Sequence, residues 1–219
     1  MEKFNNDLTG LTKCNIIYHS VAMDVERTTD RKYIMNSKYP DRITKKVVRL
    51  PKFANIKHIT NHNEKLNGSV IFLGEQYNII GIDIDNKDDT LIKYDEICKK
   101  NGHDRKTLRT ITPNNGYHEY YTLTNIQRDA LKTFKSKSGD HFGLNIDVKY
   151  NNQYFYGPSI FGDKNEFTYK IDMTVPPVIL PDFIFDEIVK YHQICGNKKK
   201  GVVNKRVGSG NVDYFSSYM

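Results

Sequence analysis

Between residues 77 and 149 the apolar side chains switch repeatedly between alternate and helical spacing, and that succession constrains the fold more than any bulk property. The Ile-rich run 77–85 reads as a strand. Asp88-Asp89-Thr90 then supplies helix-capping side chains, Leu91, Tyr94, Ile97 and Cys98 follow at helical spacing, and Asn101-Gly102 is a stop signal. Runs 107–112 and 117–123 read as strands about the turn Pro113-Asn114-Asn115-Gly116. Thr124-Asn125-Ile126-Gln127 is a capping box that puts Ile126, Ala130 and Phe134 on one helical face. Run 144–149 is a further strand, joined through Asn151-Asn152 to 154–156 as a hairpin. Upstream, 69–73 and 77–85 read as a hairpin about Gly74-Glu75-Gln76.

The resulting order over 77–149 is β-α-β-β-α-β, the split-βαβ arrangement of ferredoxin-like and RRM sheets. Right-handed crossovers place the first and third strands at the centre, antiparallel, with the fourth beside the first. The expected fold class is therefore α+β: an RRM-like sheet over about 67–160 combined with a mixed α/β section over about 1–66. Pro176, Pro177 and Pro181 lead into a closing helix over about 182–193, and 196–219 reads as a basic flexible tail or linker after a domain spanning 1–195.

Strand alternation turns Ile82 and Ile84 towards the helices and Asp83 and Asp85 to the opposite face. Asp147 and Lys149 share that face on the fourth strand, and His118 and Tyr120 share it on the third. Glu119 then points inward, which the scheme leaves unexplained. Three carboxylates, an imidazole and an ammonium are thus expected on one open sheet face. Asp-x-Asp plus a third Asp is an all-oxygen ligand set for Mg²⁺ or Mn²⁺ shared with phosphates. Two such ions lower the pKa of an attacking hydroxyl and neutralise leaving pyrophosphate. His118 would donate to a phosphate oxygen, Lys149 would act as a point charge, and Asn114-Asn115-Gly116 would add backbone N–H groups. Taken singly, each of these has a plain structural reading: Asp-x-Asp ends many strands, Asp147-x-Lys149 makes a solvated ion pair, and Asn-Asn-Gly is a good turn. Together they have to share one face by accident, which favours the site.

Composition narrows the class. With 38% hydrophobic and 12% aromatic residues in 219, the chain is neither disordered nor membrane-embedded. No apolar run approaches membrane-spanning length and the N-terminus lacks a signal-peptide core, so an intracellular, soluble protein is expected. Cys14, Cys98 and Cys195 are too scattered for a disulfide framework or a zinc cluster. The net charge of +7 suits a polyanionic partner, and +4 of it lies in residues 198–219.

Three motifs together resemble the archaeo-eukaryotic primase superfamily, in its bifunctional primase–polymerase (prim-pol) branch. They are Gly81-Ile82-Asp83-Ile84-Asp85, Thr112-Pro113-Asn114-Asn115-Gly116-Tyr117-His118, and Asn145-Ile146-Asp147-Val148-Lys149. Residues 154–159, ending Gly157-Pro158-Ser159, resemble the family's Tyr-x-x-x-Pro-Pro-Ser segment, and Pro176-Pro177 to Pro181-Asp182-Phe183 its Pro-rich exit. The similarity covers about 50–190. It implies the archaeo-eukaryotic primase fold, catalytic metals on Asp83, Asp85 and Asp147, and the nucleotide triphosphate on His118. Asn114, Asn115, Gly116, Lys149 and Ser159 follow as further nucleotide contacts. The sequence departs from the pattern where Asn114-Asn115 replaces Ser-Gly and Gly157 replaces the first Pro. The resemblance also implies a single-stranded DNA template, NTP or dNTP substrates and a fused or associated replicative helicase. With the Lys, Ile and Asn bias of an AT-rich genome, a viral or mobile-element primase–helicase is the expected source.

Two other readings of the same residues stand beside a primase/polymerase. One is a metal-dependent nuclease, in which Asp83 with Asp147-x-Lys149 activates a water. The other is a non-catalytic RRM-like module that stacks single-stranded bases on Tyr120, Tyr154 or Tyr156.

Overall fold

The computed structural model describes residues 2–27, 33–40, 47–49, 68–134, 139–151, 153–159 and 168–203. Helix α1 (Glu2–Lys13) is followed by strands β1 (Tyr18–Arg27), β2 (Tyr33–Pro40), β3 (Val47–Arg49) and β4 (Gly68–Leu73). Next come β5 (Ile80–Ile84), α2 (Thr90–Lys100), β6 (Arg109–Ile111), β7 (Tyr117–Thr122), α3 (Asn125–Leu131) and β8 (Ile146–Lys149), in the β-α-β-β-α-β order read from the sequence. Strands β9 (Gln153–Ser159), β10 (Lys170–Met173) and β11 (Val178–Ile179) and helix α4 (Asp182–Val203) complete a mixed α/β architecture. Residues 41–46 and 50–67 of the N-terminal section and 204–219 of the expected tail lie outside the described residues.

The central sheet runs β10-β6-β7-β5-β8, with β11 parallel to the end of β7. Strand β5 lies between β7 and β8 and is antiparallel to both. Asp83 faces His118 on one side and Asp147 on the other, and Ile84 faces Tyr117 and Ile146. These are the neighbours that the crossover argument requires. Alternation explains why the sheet closes on its helices. Ile80, Ile82, Ile84, Ile146 and Val148 are buried against Tyr94 and Cys98 of α2, Leu131 of α3 and Ile184 and Ile188 of α4. Each such side chain contributes about 1.5–3 kcal/mol on full burial, so this face supplies much of the core. Glu119 does point inward, as a buried ion pair with Arg105 (2.6 Å) that also accepts from the Tyr121 hydroxyl (2.8 Å).

The second sheet, β3-β2-β1-β4-β9, corrects both expected hairpins. Strand β4 pairs with β1 and β9, whereas β5 pairs with β7 and β8. Between β4 and β5 there is a single bridge, Gly74 to Ile79. Chain segments 68–84 and 146–159 instead form one long two-stranded ribbon, bent so that each half enters a different sheet. The bend follows from backbone chemistry: Gly74 (φ 135°), Asn78 (φ 50°) and Asn151 (φ 48°) occupy conformations that Gly and Asn tolerate best. The Asn151 amide also donates to the carbonyls of Leu131 and Phe134, tying the corner to the end of α3.

Because the ribbon folds back, the face expected to be open is covered. Leu73, Ile71 and Phe155 of the second sheet, with Leu11 of α1, pack onto Tyr120, Ile79 and Leu108. A Cβ at Gly81 would collide with the Phe155 ring and lie 2.8 Å from Leu73 Cδ1, so Gly81 lets the layers approach closely.

Three local readings also change. Gln127, Leu131 and Phe134 are buried on the α3 side while Ile126 and Ala130 are exposed. The capping box forms as expected, but its Gln127 amide also donates to Leu180 O (2.9 Å), which turns the helix by one position. Asp89 precedes α2 without capping it through its side chain. Helix α4 runs on past Gln193 to Val203, through part of the expected tail. Lys is a good helix former and is favoured at a helix C-terminus, so the Lys198-Lys199-Lys200 run suits this extension.

Candidate active site

The register of β5 and β8 brings Asp83 and Asp147 directly opposite one another, and Asp85 follows just past the end of β5. Its backbone N–H donates to Asn145 O (3.1 Å), which keeps that strand end beside β8. All three carboxylates line one cleft of about 320 Å³, together with Gly139, Asp140, Asn145 and Tyr191. Asp147 Oδ1 accepts from the Gly139 N–H (2.8 Å). Asn145 N–H donates to Thr90 Oγ1 (3.4 Å) and its Nδ2 to Asp88 Oδ2 (3.2 Å), so the residues expected to cap α2 anchor the cleft instead.

The carboxylates are electrostatically unsettled. Burial pushes the Asp83 carboxyl up to about 6; Asp85 adds to the rise, and Lys149 and Lys87 oppose it. Asp147 is also raised, first by burial, against the opposing Gly139 N–H, with Asp83 and Asp85 adding repulsion. A hard divalent cation among these oxygens would relieve both effects, so the donor set fits Mg²⁺ or Mn²⁺. Among the described residues, as they stand, no group of three or more His, Cys, Asp or Glu side chains is arranged so that it could hold a metal ion. Asp85, with a side chain 49% exposed, is more open than Asp83 at 24%.

The remaining expected residues separate into those near the cleft and those that serve the fold. His118 is not an exposed phosphate donor. It is buried, with its Nε2 3.5 Å from Asp83 Oδ1, its ring stacked on Phe155 (centroids 4.1 Å, 15° between planes) and Tyr169 at 5.5 Å. Burial first, and Lys149 second, hold its pKa down to about 3, so the ring is neutral at ordinary pH. Gly116 is buried, and a Cβ there would meet Ile84 O at 2.5 Å. Its N–H donates to Thr112 Oγ1 (3.0 Å) and that of Asn115 to Thr112 O (2.9 Å), so neither amide is presented to a phosphate. The side chains of Asn114 and Asn115 are exposed at the tip of this turn. Lys149 Nζ lies 4.8 Å from the Phe155 ring centroid and does not line the cleft, although its charge acts on Asp83. Ser159 is buried, and its hydroxyl accepts from Tyr169 N–H (3.2 Å). These positions weaken the other two readings: Lys149 does not line the cleft, and Tyr120 is fully buried and cannot stack on bases, although Tyr154 and Tyr156 stay partly exposed.

Sequence reasoning missed Asp140, Gly139 and Tyr191 in the cleft and the Phe155–Tyr169 packing about His118. Asn145 stands in the third motif, where the sequence alone assigns it no role. Tyr191 carries no local signal at all, since only the packing of α4 brings it to the cleft.

Fold and site define a mixed α/β protein with an acidic, oxygen-rich cleft where its central strands meet. A family model described as Prim-Pol, bifunctional DNA primase/polymerase, N-terminal, matches residues 27–183, and the chain belongs to that family. Membership supports DNA primase/polymerase, a nucleotidyltransferase, as the general class of activity. No curated protein matches the chain. Among the described residues no helix is long and apolar enough to cross a membrane.

Proposed function

We propose that the acidic cleft is the nucleotidyl-transfer site of a DNA primase/polymerase with the archaeo-eukaryotic primase fold, making short primers on single-stranded DNA during replication. The observation that carries this reading is the pairing of Asp83 with Asp147 across β5 and β8, with Asp85 in the same cleft. These three residues would hold Mg²⁺ or Mn²⁺, which supplies charge neutralisation at the phosphates and a lowered pKa for the attacking hydroxyl. The oxygen of a 3′-hydroxyl attacks the α-phosphorus of an NTP or dNTP. The new P–O bond forms as the α–β bond breaks, pyrophosphate leaves and the hydroxyl proton passes to water.

The chain's own contribution is positioning. Two paired strands fix Asp83 and Asp147, and the Gly139 N–H engages Oδ1 of Asp147, leaving Oδ2 for a ligand. Neutral His118, wedged between Asp83 and Phe155, acts behind the carboxylate and not on the triphosphate. A fused or associated helicase is the proposed partner.

Incubation with a single-stranded template, nucleotides and Mn²⁺ or Mg²⁺ should yield short oligonucleotides. Asp83→Ala and Asp147→Ala should each reduce the yield about a hundredfold or more while keeping the thermal unfolding cooperative. Template degradation without added nucleotides, or full synthesis by the Asp83→Ala, Asp147→Ala double variant, would refute the assignment.

A further inference from the structure

We propose that Tyr191 of α4 contacts the nucleoside part of the nucleotide whose phosphates lie over the carboxylates. This rests on reading the cleft as a nucleotide site. Among the described residues the lining is otherwise acidic or small and polar, and Tyr191 is its single aromatic. A nucleotide has two chemically unlike ends. Its polyphosphate, with a cation, belongs beside Asp83, Asp85 and Asp147, whereas its flat nucleoside gains affinity by stacking on an aromatic surface.

The ring is held ready for that contact. A Cβ at Gly139 would lie 2.8 Å from Cε1, Cζ and Oη of Tyr191, so the missing side chain makes room for the hydroxyl end of the ring. Gly139 also donates its N–H to Asp147, so one short segment positions both a carboxylate and the ring. His141, buried, backs Tyr191 at 4.4 Å between centroids. Tyr191 itself stays partly exposed to the cleft. It lies past residue 183, where the family match ends.

The test measures equilibrium binding of a non-hydrolysable dNTP analogue with Mn²⁺, and separately KM and kcat, for wild type, Tyr191→Phe and Tyr191→Ala. Tyr191→Ala should weaken binding and raise KM about tenfold or more with kcat within about threefold. Tyr191→Phe, which keeps the ring, should stay within about threefold of wild type. Unchanged binding and KM in Tyr191→Ala overturn the inference, including the case where only its melting temperature falls. Tyr191-dependent binding without synthesis would sustain the inference and defeat the polymerase reading. A wild-type protein that binds no nucleotide overturns both.

Discussion

At the residue scale, Asp83 and His118 titrate abnormally in opposite senses, which gives a pH test. His118, near 3 when folded against about 6.5 unfolded, contributes stability that is complete above pH 6.5 and lost as pH falls towards 3. Asp83, near 6 when folded against about 3.8, contributes stability present below pH 3.8 and lost as pH rises through 6. Between pH 4 and 6 the two partly cancel in the metal-free protein. Asp83→Asn removes one of them, so its melting temperature should fall more steeply than that of wild type from pH 7 to pH 4. Parallel curves would mean that Asp83 titrates normally. Much of this pair was legible, because alternation put Asp83 and His118 on one face. The depth of His118 was not, because Phe155 and Tyr169 belong to chain segments that the motif does not touch.

Gly116 belongs to the element scale, where it shows how a turn serves a strand. Gly116→Ala would press a methyl against Ile84 O, at the end of the strand that delivers Asp83 and Asp85. Overpacking of this kind costs about 1–3 kcal/mol. A displaced strand end should lower synthesis by about ten- to a hundredfold. Thr124→Ala, which breaks the capping box of α3 away from the cleft, should cost about 1 kcal/mol in denaturant unfolding and leave kcat unchanged. Equal activity loss in the two variants would show that general destabilisation, not strand position, limits the reaction. Element order was readable because the period of the apolar residues changes with each element. The hairpins were misread because a Gly-containing connection of a few residues looks alike whether it reverses a strand or bends it. Only the partners of β4 and β9 distinguish the two.

For the whole molecule, the two sheets share one ribbon, and the site sits where α4 meets the central strands. The three aspartates could be placed from sequence because Asp83 and Asp147 lie on strands of predictable pairing and Asp85 directly follows one of them. Tyr191 and Gly139 could not, since nothing local ties them to β5. The central claim is that distant carboxylates form one divalent-cation site, and titration of Mn²⁺ followed by electron paramagnetic resonance tests it most directly. Wild type should bind Mn²⁺ more tightly with nucleotide present, and Asp83→Asn and Asp147→Asn should each weaken binding by at least about tenfold. Mn²⁺ binding of equal strength in all three proteins would contradict the account.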